Sequence, residues 1–158
     1  MILVDRYENG LHDVGTEIQG DAAHGCETVV GDVTDDVRMS AVFSSYRPEI
    51  VLHAAAHKHV PLMESSPGEA VKNNVRGTRI VAELADRHGS ERFVLISTDK
   101  AVNPTSVMGA SKRVAELVVR GLATPQARRS RAFGSAMCLA ATGASCRCSC
   151  GRSHRVDR

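Results

Sequence analysis

The chain has 158 residues, 42% of them hydrophobic and 24% charged, with two Tyr, three Phe and no Trp, which suits one domain rather than two. No apolar run approaches the roughly 20 residues a membrane-spanning helix needs, and the opening MILVDRYENG lacks the basic stretch and long apolar core of a secretory leader. The net charge of +2 conceals a split: residues 1–123 carry 13 Lys and Arg against 17 Asp and Glu, whereas residues 124–158 carry seven Arg and one Asp.

The cysteines divide at the same place. Cys26 stands alone in the first part; Cys138, Cys146, Cys148 and Cys150 crowd the last 21 residues. A secreted disulfide scaffold spreads its cysteines through the fold, so a reducing cytoplasm is expected, with no membrane contact from this chain.

In chain order, Ile2–Val4 reads as a short strand ending at Asp5, and Glu8–Ile18 as a helix with Leu11, Val14 and Ile18 at spacings of three and four. Thr28–Val30 followed by Gly31-Asp32-Val33 is a second strand; Asp35–Tyr46 repeats the helical spacing and Pro48 closes it. Ile50–Leu52 is a third strand, leading into His53 and three alanines. A long helix is expected from about Pro67 to His88, with Pro near its start and Gly89 after its end. Phe93–Ile96 is a fourth strand and Met108–Leu122 a further helix.

Continuous apolar strands alternating with amphipathic helices imply an α/β fold with a doubly wound parallel sheet covered on both faces. Ligands of such sheets gather beyond the carboxyl ends of the strands. Those ends carry Asp5, Asp32, His53 and the run Ser97-Thr98-Asp99-Lys100. Asp5 can accept hydrogen bonds from the ribose hydroxyls of an adenine dinucleotide, or serve as a local cap; Arg6 can take a 2′-phosphate, which leaves NAD and NADP both open. No glycine-rich turn precedes Asp5. That turn and its strand belong in the roughly 30 residues before Met1, so the expectation is a partial Rossmann-type sheet lacking its first strand.

The stretch LISTDKAVNPTSVMGASKRVAE, with VLHAAAHKHVPLME and NNVRGT upstream, closely resembles bacterial nucleotide-sugar dehydratases of the CapD/WbpM type, which are extended short-chain dehydrogenase/reductases. The similarity runs from about Ile2 to Gly121. It implies oxidation of a UDP-N-acetylhexosamine at C4 by bound NAD or NADP, loss of water across C5 and C6, and hydride return to C6. The product is a 4-keto-6-deoxy sugar for surface polysaccharide. The resemblance also implies a homo-oligomer, and intact relatives anchored to the membrane by upstream helices.

On the same resemblance, Asp5 holds the adenosine ribose, Asp32 and Val33 flank the adenine, and Ala54, Ala55 and Ala56 line the cofactor. Lys58 and a Val60-Pro61 turn fall on the sugar-nucleotide side. Asn74 matches an asparagine behind the catalytic lysine, Thr98 bonds the C4 oxygen, Asp99 is the acid for the C6 hydroxyl, Lys100 the base at C5, and Lys112 grips the nicotinamide ribose. Elimination beside a ketone needs such a base and such an acid. Met108 stands where most of the superfamily has tyrosine; a thioether takes no proton, and methionine at this place marks the dehydratase branch. Taken alone, Met108 is core packing and Asp99-Lys100 a surface ion pair.

Other readings have their own tests. An epimerase or reductase of the same superfamily would yield a different product. His53, His57 and His59 lack a fourth ligand at zinc spacing, so no metal is expected. The tail suggests a noncatalytic metal- or nucleic-acid-binding peptide, yet a simpler account exists. One permissible back-translation of RAFGSAMCLAATGASCRCS, read two bases later, gives RVRFGNVLGSNGSVVPVF, close to the family's continuation after this helix. The tail is therefore expected to be an out-of-frame reading rather than a nucleic-acid arm, residues 1–123 to form the partial domain, and the chain by itself to be inactive.

Overall fold

The computed structural model describes residues 1–21 and 25–123. Four short strands, β1 (Ile2–Asp5), β2 (Glu27–Val30), β3 (Ile50–His53) and β4 (Arg92–Leu95), alternate with helices. The helices are α1 (Glu8–Asp21), α2 (Asp36–Tyr46), α3 (Val60–Ser65), α4 (Pro67–Ala70), α5 (Thr78–Arg87) and α6 (Val107–Leu122). β1 pairs with β2 and β3 with β4, both parallel, and the two pairs form separate two-stranded sheets. Among the described strands, β1 and β3 thus each keep an unpaired edge.

One core serves both pairs. Val29 of β2, Met39, Val42 and Phe43 of α2, Ile80, Val81 and Leu84 of α5, Phe93 and Leu95 of β4, and Ala115 and Val119 of α6 form a contiguous buried cluster. The opposite face of the first pair is covered by α1, where a Cβ on Gly15 would meet the Thr28 side chain at 2.7 Å. The second pair departs from the expected double cover. Ile50 is 53% exposed and Leu52 69%, because alternation along β3 turns only Val51 and His53 toward the main core.

The helix ends follow local chemistry. Asp35 precedes α2 as its cap and accepts from the Arg38 backbone N–H at 3.0 Å. At the other end Arg47, with φ 41°, closes the helix just before Pro48. After α5, Gly89 takes φ 75°, and the Ser90 N–H reaches back to the Ala85 carbonyl at 2.9 Å, a left-handed stop that a glycine adopts without steric cost.

Two sequence expectations need correction. The Val60-Pro61 turn is the first turn of α3, with Pro61 at its start, where a missing N–H and a fixed φ cost nothing. The single helix from Pro67 to His88 is instead α4, a π-helical segment over Val71–Gly77, and α5. The widened turn carries Asn73, Asn74 and Gly77 as buried residues; such segments recur at functional sites.

Candidate functional site at the carboxyl ends of the strands

A crevice of about 110 Å³ opens where β1, β2 and β3 end, lined by Asp5, Arg6, Asp32, Val33, Ala55 and Ala56 together with His57 and Asn73. Six of the residues singled out for a dinucleotide thus meet in one place. Ala54 is not among the lining residues. Asp5 accepts the Tyr7 backbone N–H at 2.8 Å, so the local-cap role is realised. Asp32 accepts both the N–H and the hydroxyl of Thr34 at 2.8 Å, and the Arg6 guanidinium stands 3.6 Å away. Partial burial pushes the Asp32 carboxyl up, but the Thr34 donors and Arg6 outweigh it and hold the group below the usual carboxylate range. Arg6 also lies 3.4 Å from the His57 ring. No periodicity marks His57 or Asn73 for this crevice; both sit in segments whose path only the fold determines.

Behind the crevice is a buried polar network. The Asn74 Oδ1 accepts the His57 N–H at 2.7 Å, and its Nδ2 donates to the His57 carbonyl at 3.1 Å and to the Ser111 hydroxyl at 2.9 Å. Ser111 in turn donates to the Met108 carbonyl at 2.7 Å. Asn74 therefore joins the loop after β3 to the first turns of α6. Thr78 donates its one proton to the Asn74 carbonyl at 2.6 Å, so the His53 Nε2, 3.0 Å from the same hydroxyl, must be the protonated nitrogen. Burial first, and the nearby Lys112 ammonium second, push the His53 pKa down to about 4.

β4 leads to the Asp99-Lys100 pair. Its exit runs through Ser97 into a 3₁₀ turn, Asp99–Ala101, started by Thr98. Asp99 and Lys100 are exposed, with the ammonium 3.5 Å from the carboxylate. The Thr98 hydroxyl donates to Asp99 Oδ1 at 2.9 Å. That bond and the Lys100 charge hold the Asp99 carboxyl below its ordinary range. In the open site Asp99 is thus a carboxylate, and Lys100 is its counter-charge.

The first turn of α6 is pinned by the Ser106 hydroxyl, which accepts from Gly109, and by Glu64 of α3, which accepts the Val107 N–H at 2.7 Å. Met108 is buried in a small cluster with Met63 and Ala70, with Val60 packed against it, so the thioether packs. Lys112 is buried and donates to the Ile96 carbonyl at 2.8 Å. Lys58 and Pro61 are exposed at the approach to α3. His53 and His57 turn to separate partners, and among the described residues no three His, Cys, Asp or Glu side chains gather as a metal site. The cysteine run and residues 124–158 lie outside the described residues. No described helix is long and apolar enough to cross a membrane.

A parallel α/β fold with polar and acidic residues gathered at successive strand ends places the chain in the Rossmann class. Residues 1–138 match the family described as "Polysaccharide biosynthesis protein", and the chain belongs to that family. It is 52% identical over 124 residues to the probable polysaccharide biosynthesis protein EpsC of Bacillus subtilis, covering 77% of this chain and 21% of that protein. Over 83 residues it is 41% identical to a UDP-N-acetylglucosamine 4,6-dehydratase (inverting) of Campylobacter jejuni, covering 52% of this chain and 24% of that one. The chain thus spans about a fifth to a quarter of these relatives. Among solved structures, WbmG of Bordetella bronchiseptica in complex with NAD superposes with a TM-score of 0.65 at 22% identity, over 76% of this chain and 41% of that one, a likeness of fold.

Proposed function

We propose that these residues carry the dehydration step of a nucleotide-sugar 4,6-dehydratase acting on a UDP-N-acetylhexosamine in the cytoplasm, for surface polysaccharide. The observation that supports this best is the Asp99–Lys100 pair, 3.5 Å apart at the carboxyl end of β4. The crevice is assigned to the adenosine end of a dinucleotide: Asp5 would hold the ribose, Arg6 would admit either NAD or NADP, Asp32 and Val33 would flank the adenine, and Ala55 and Ala56 would line the cofactor. A bound NAD or NADP would supply the hydride exchange between sugar C4 and C6.

The protein's part is proton management. Thr98 exchanges Asp99 for the C4 oxygen as its acceptor. Covering the pair with sugar removes water, which disfavours the separated charges, and the proton crosses from Lys100 to Asp99. Neutral Lys100 then takes the C5 proton while Asp99 gives its proton to the C6 hydroxyl, which leaves as water; the pair ends as ammonium and carboxylate, ready again. Met108 offers no base, and Lys112 supplies fixed positive charge beside the reaction.

With no G-x-G-x-x-G turn among its 158 residues to cradle a pyrophosphate, this polypeptide by itself does not turn over substrate in this reading. The test has two arms. The purified chain should give no conversion of UDP-N-acetylglucosamine with NAD or NADP. The same residues joined behind a glycine-rich βα unit should yield a ketone that has lost water, with D99N or K100M abolishing water loss while the sugar nucleotide still binds. An epimerised or reduced sugar as the product would replace the reading with epimerase or reductase.

A further inference from the structure

Among the described residues, the side chains of the segment that carries the acid and base bond only locally: Asp99 accepts from the Thr98 hydroxyl and from the Lys100 ammonium. What holds its path is α6. Lys112 and Glu116, one turn apart, grip two consecutive residues of the β4 exit. The Lys112 ammonium takes the Ile96 carbonyl at 2.8 Å, and Glu116 Oε1 takes the Ser97 hydroxyl at 2.6 Å. A turn earlier, Gly109 passes so close that a Cβ there would stand 2.5 Å from the Lys100 carbonyl oxygen. Residues 96, 97 and 100 are therefore all laid against one helix.

Glu116 is the unexpected member. A carboxylate that is 9% exposed loses most of its hydration, and it is sustained by donors: Ser97 on one oxygen and the Arg113 guanidinium at 2.9 Å on the other. An apolar residue would fill the same space without that desolvation cost. We propose that Glu116 and Ser97 are positioning residues, whose short bond sets the register of the Thr98–Lys100 turn on α6 and so aims the acid-base pair. The inference rests on the dehydratase reading for its purpose, and on the Ser97–Glu116 and Gly109–Lys100 contacts for its geometry.

The experiment is residue-resolved amide hydrogen exchange on the full 158-residue chain and on S97A, E116A and E116Q. The Ala101 and Val102 N–H groups, which bond the Thr98 and Asp99 carbonyls, report the turn; Leu84 and Phe93 report the core. S97A and E116A should speed exchange at Ala101 and Val102 about tenfold, the scale of a lost bond to a charged group, with the core unchanged. E116Q, whose amide oxygen still accepts from Ser97, should restore most of the protection. A uniform rise across the core and the turn in all three variants, or no change at Ala101 and Val102, overturns the proposal. If S97A and E116A fail to fold, E116M, which fills the same space without an acceptor for Ser97, decides: faster exchange at both amides with the core unchanged supports the proposal, and wild-type protection there or a loss equal to that in the core defeats it. Exchange is read without substrate, so a failure here leaves the sugar chemistry standing, and a failed product assay leaves this result standing.

Discussion

Asn74 holds His57 from both sides, accepting its N–H at 2.7 Å and donating to its carbonyl at 3.1 Å. One amide thus satisfies a loop residue that no strand or helix ladder serves, and it does so across 17 positions of sequence. Because the same amide reaches Ser111, it ties the crevice wall to the helix bearing Lys112.

Replacing Asn74 with Ala should therefore cost more than a typical surface change. The fully buried site would leave the His57 N–H and carbonyl and the Ser111 hydroxyl short of a partner. We expect about 2–4 kcal/mol of lost stability, read by denaturant unfolding. A loss under about 0.5 kcal/mol would show that the clamp is ornamental.

His53 makes stability depend on pH. Its folded pKa, about 4, lies below the ordinary 6.5, so between these values the unfolded chain binds the extra proton. The contribution is fully present above pH 6.5 and is lost as the pH falls toward 4, about 3 kcal/mol in all. Unfolding midpoints at pH 7 and pH 5 should differ in the wild type, and H53Q, which carries no titrating ring, should flatten that difference.

Gly109 should tolerate no side chain. The added methyl of G109A would meet the Lys100 carbonyl oxygen at 2.5 Å and Pro104 at 3.3 Å, and a backbone oxygen cannot swing aside as a side chain can. A loss of about 1–3 kcal/mol is expected on thermal or denaturant unfolding, even though alanine favours a helix. An unchanged or raised midpoint would mean that the turn shifts freely.

Ile50 and Leu52 are exposed on β3, beside an edge that no other described strand pairs. The pair of substitutions I50T and L52T should lower self-association in sedimentation while shifting the unfolding midpoint by no more than about 0.5 kcal/mol, since neither side chain is in the core. Undiminished association would place the sticky surface elsewhere.

The sequence by itself determined the order of strands and helices, the parallel class, and which polar residues end the strands, because these follow from local periodicity, from Pro and Gly punctuation, and from one long motif string. Asp5, Asp32 and Asp99-Lys100 could all be found that way. Tertiary structure alone decided the rest. The π-helical widening that carries Asn74 among the buried residues, the descent of His57 beside Arg6, the packing of Met108 with Met63, and the Ser97–Glu116 bond depend on contacts 17 to 51 positions apart in most cases. The bare face of β3 is of the same kind. A strand's alternation states that one side must be covered, but only the assembled layers show whether a helix arrives to cover the other.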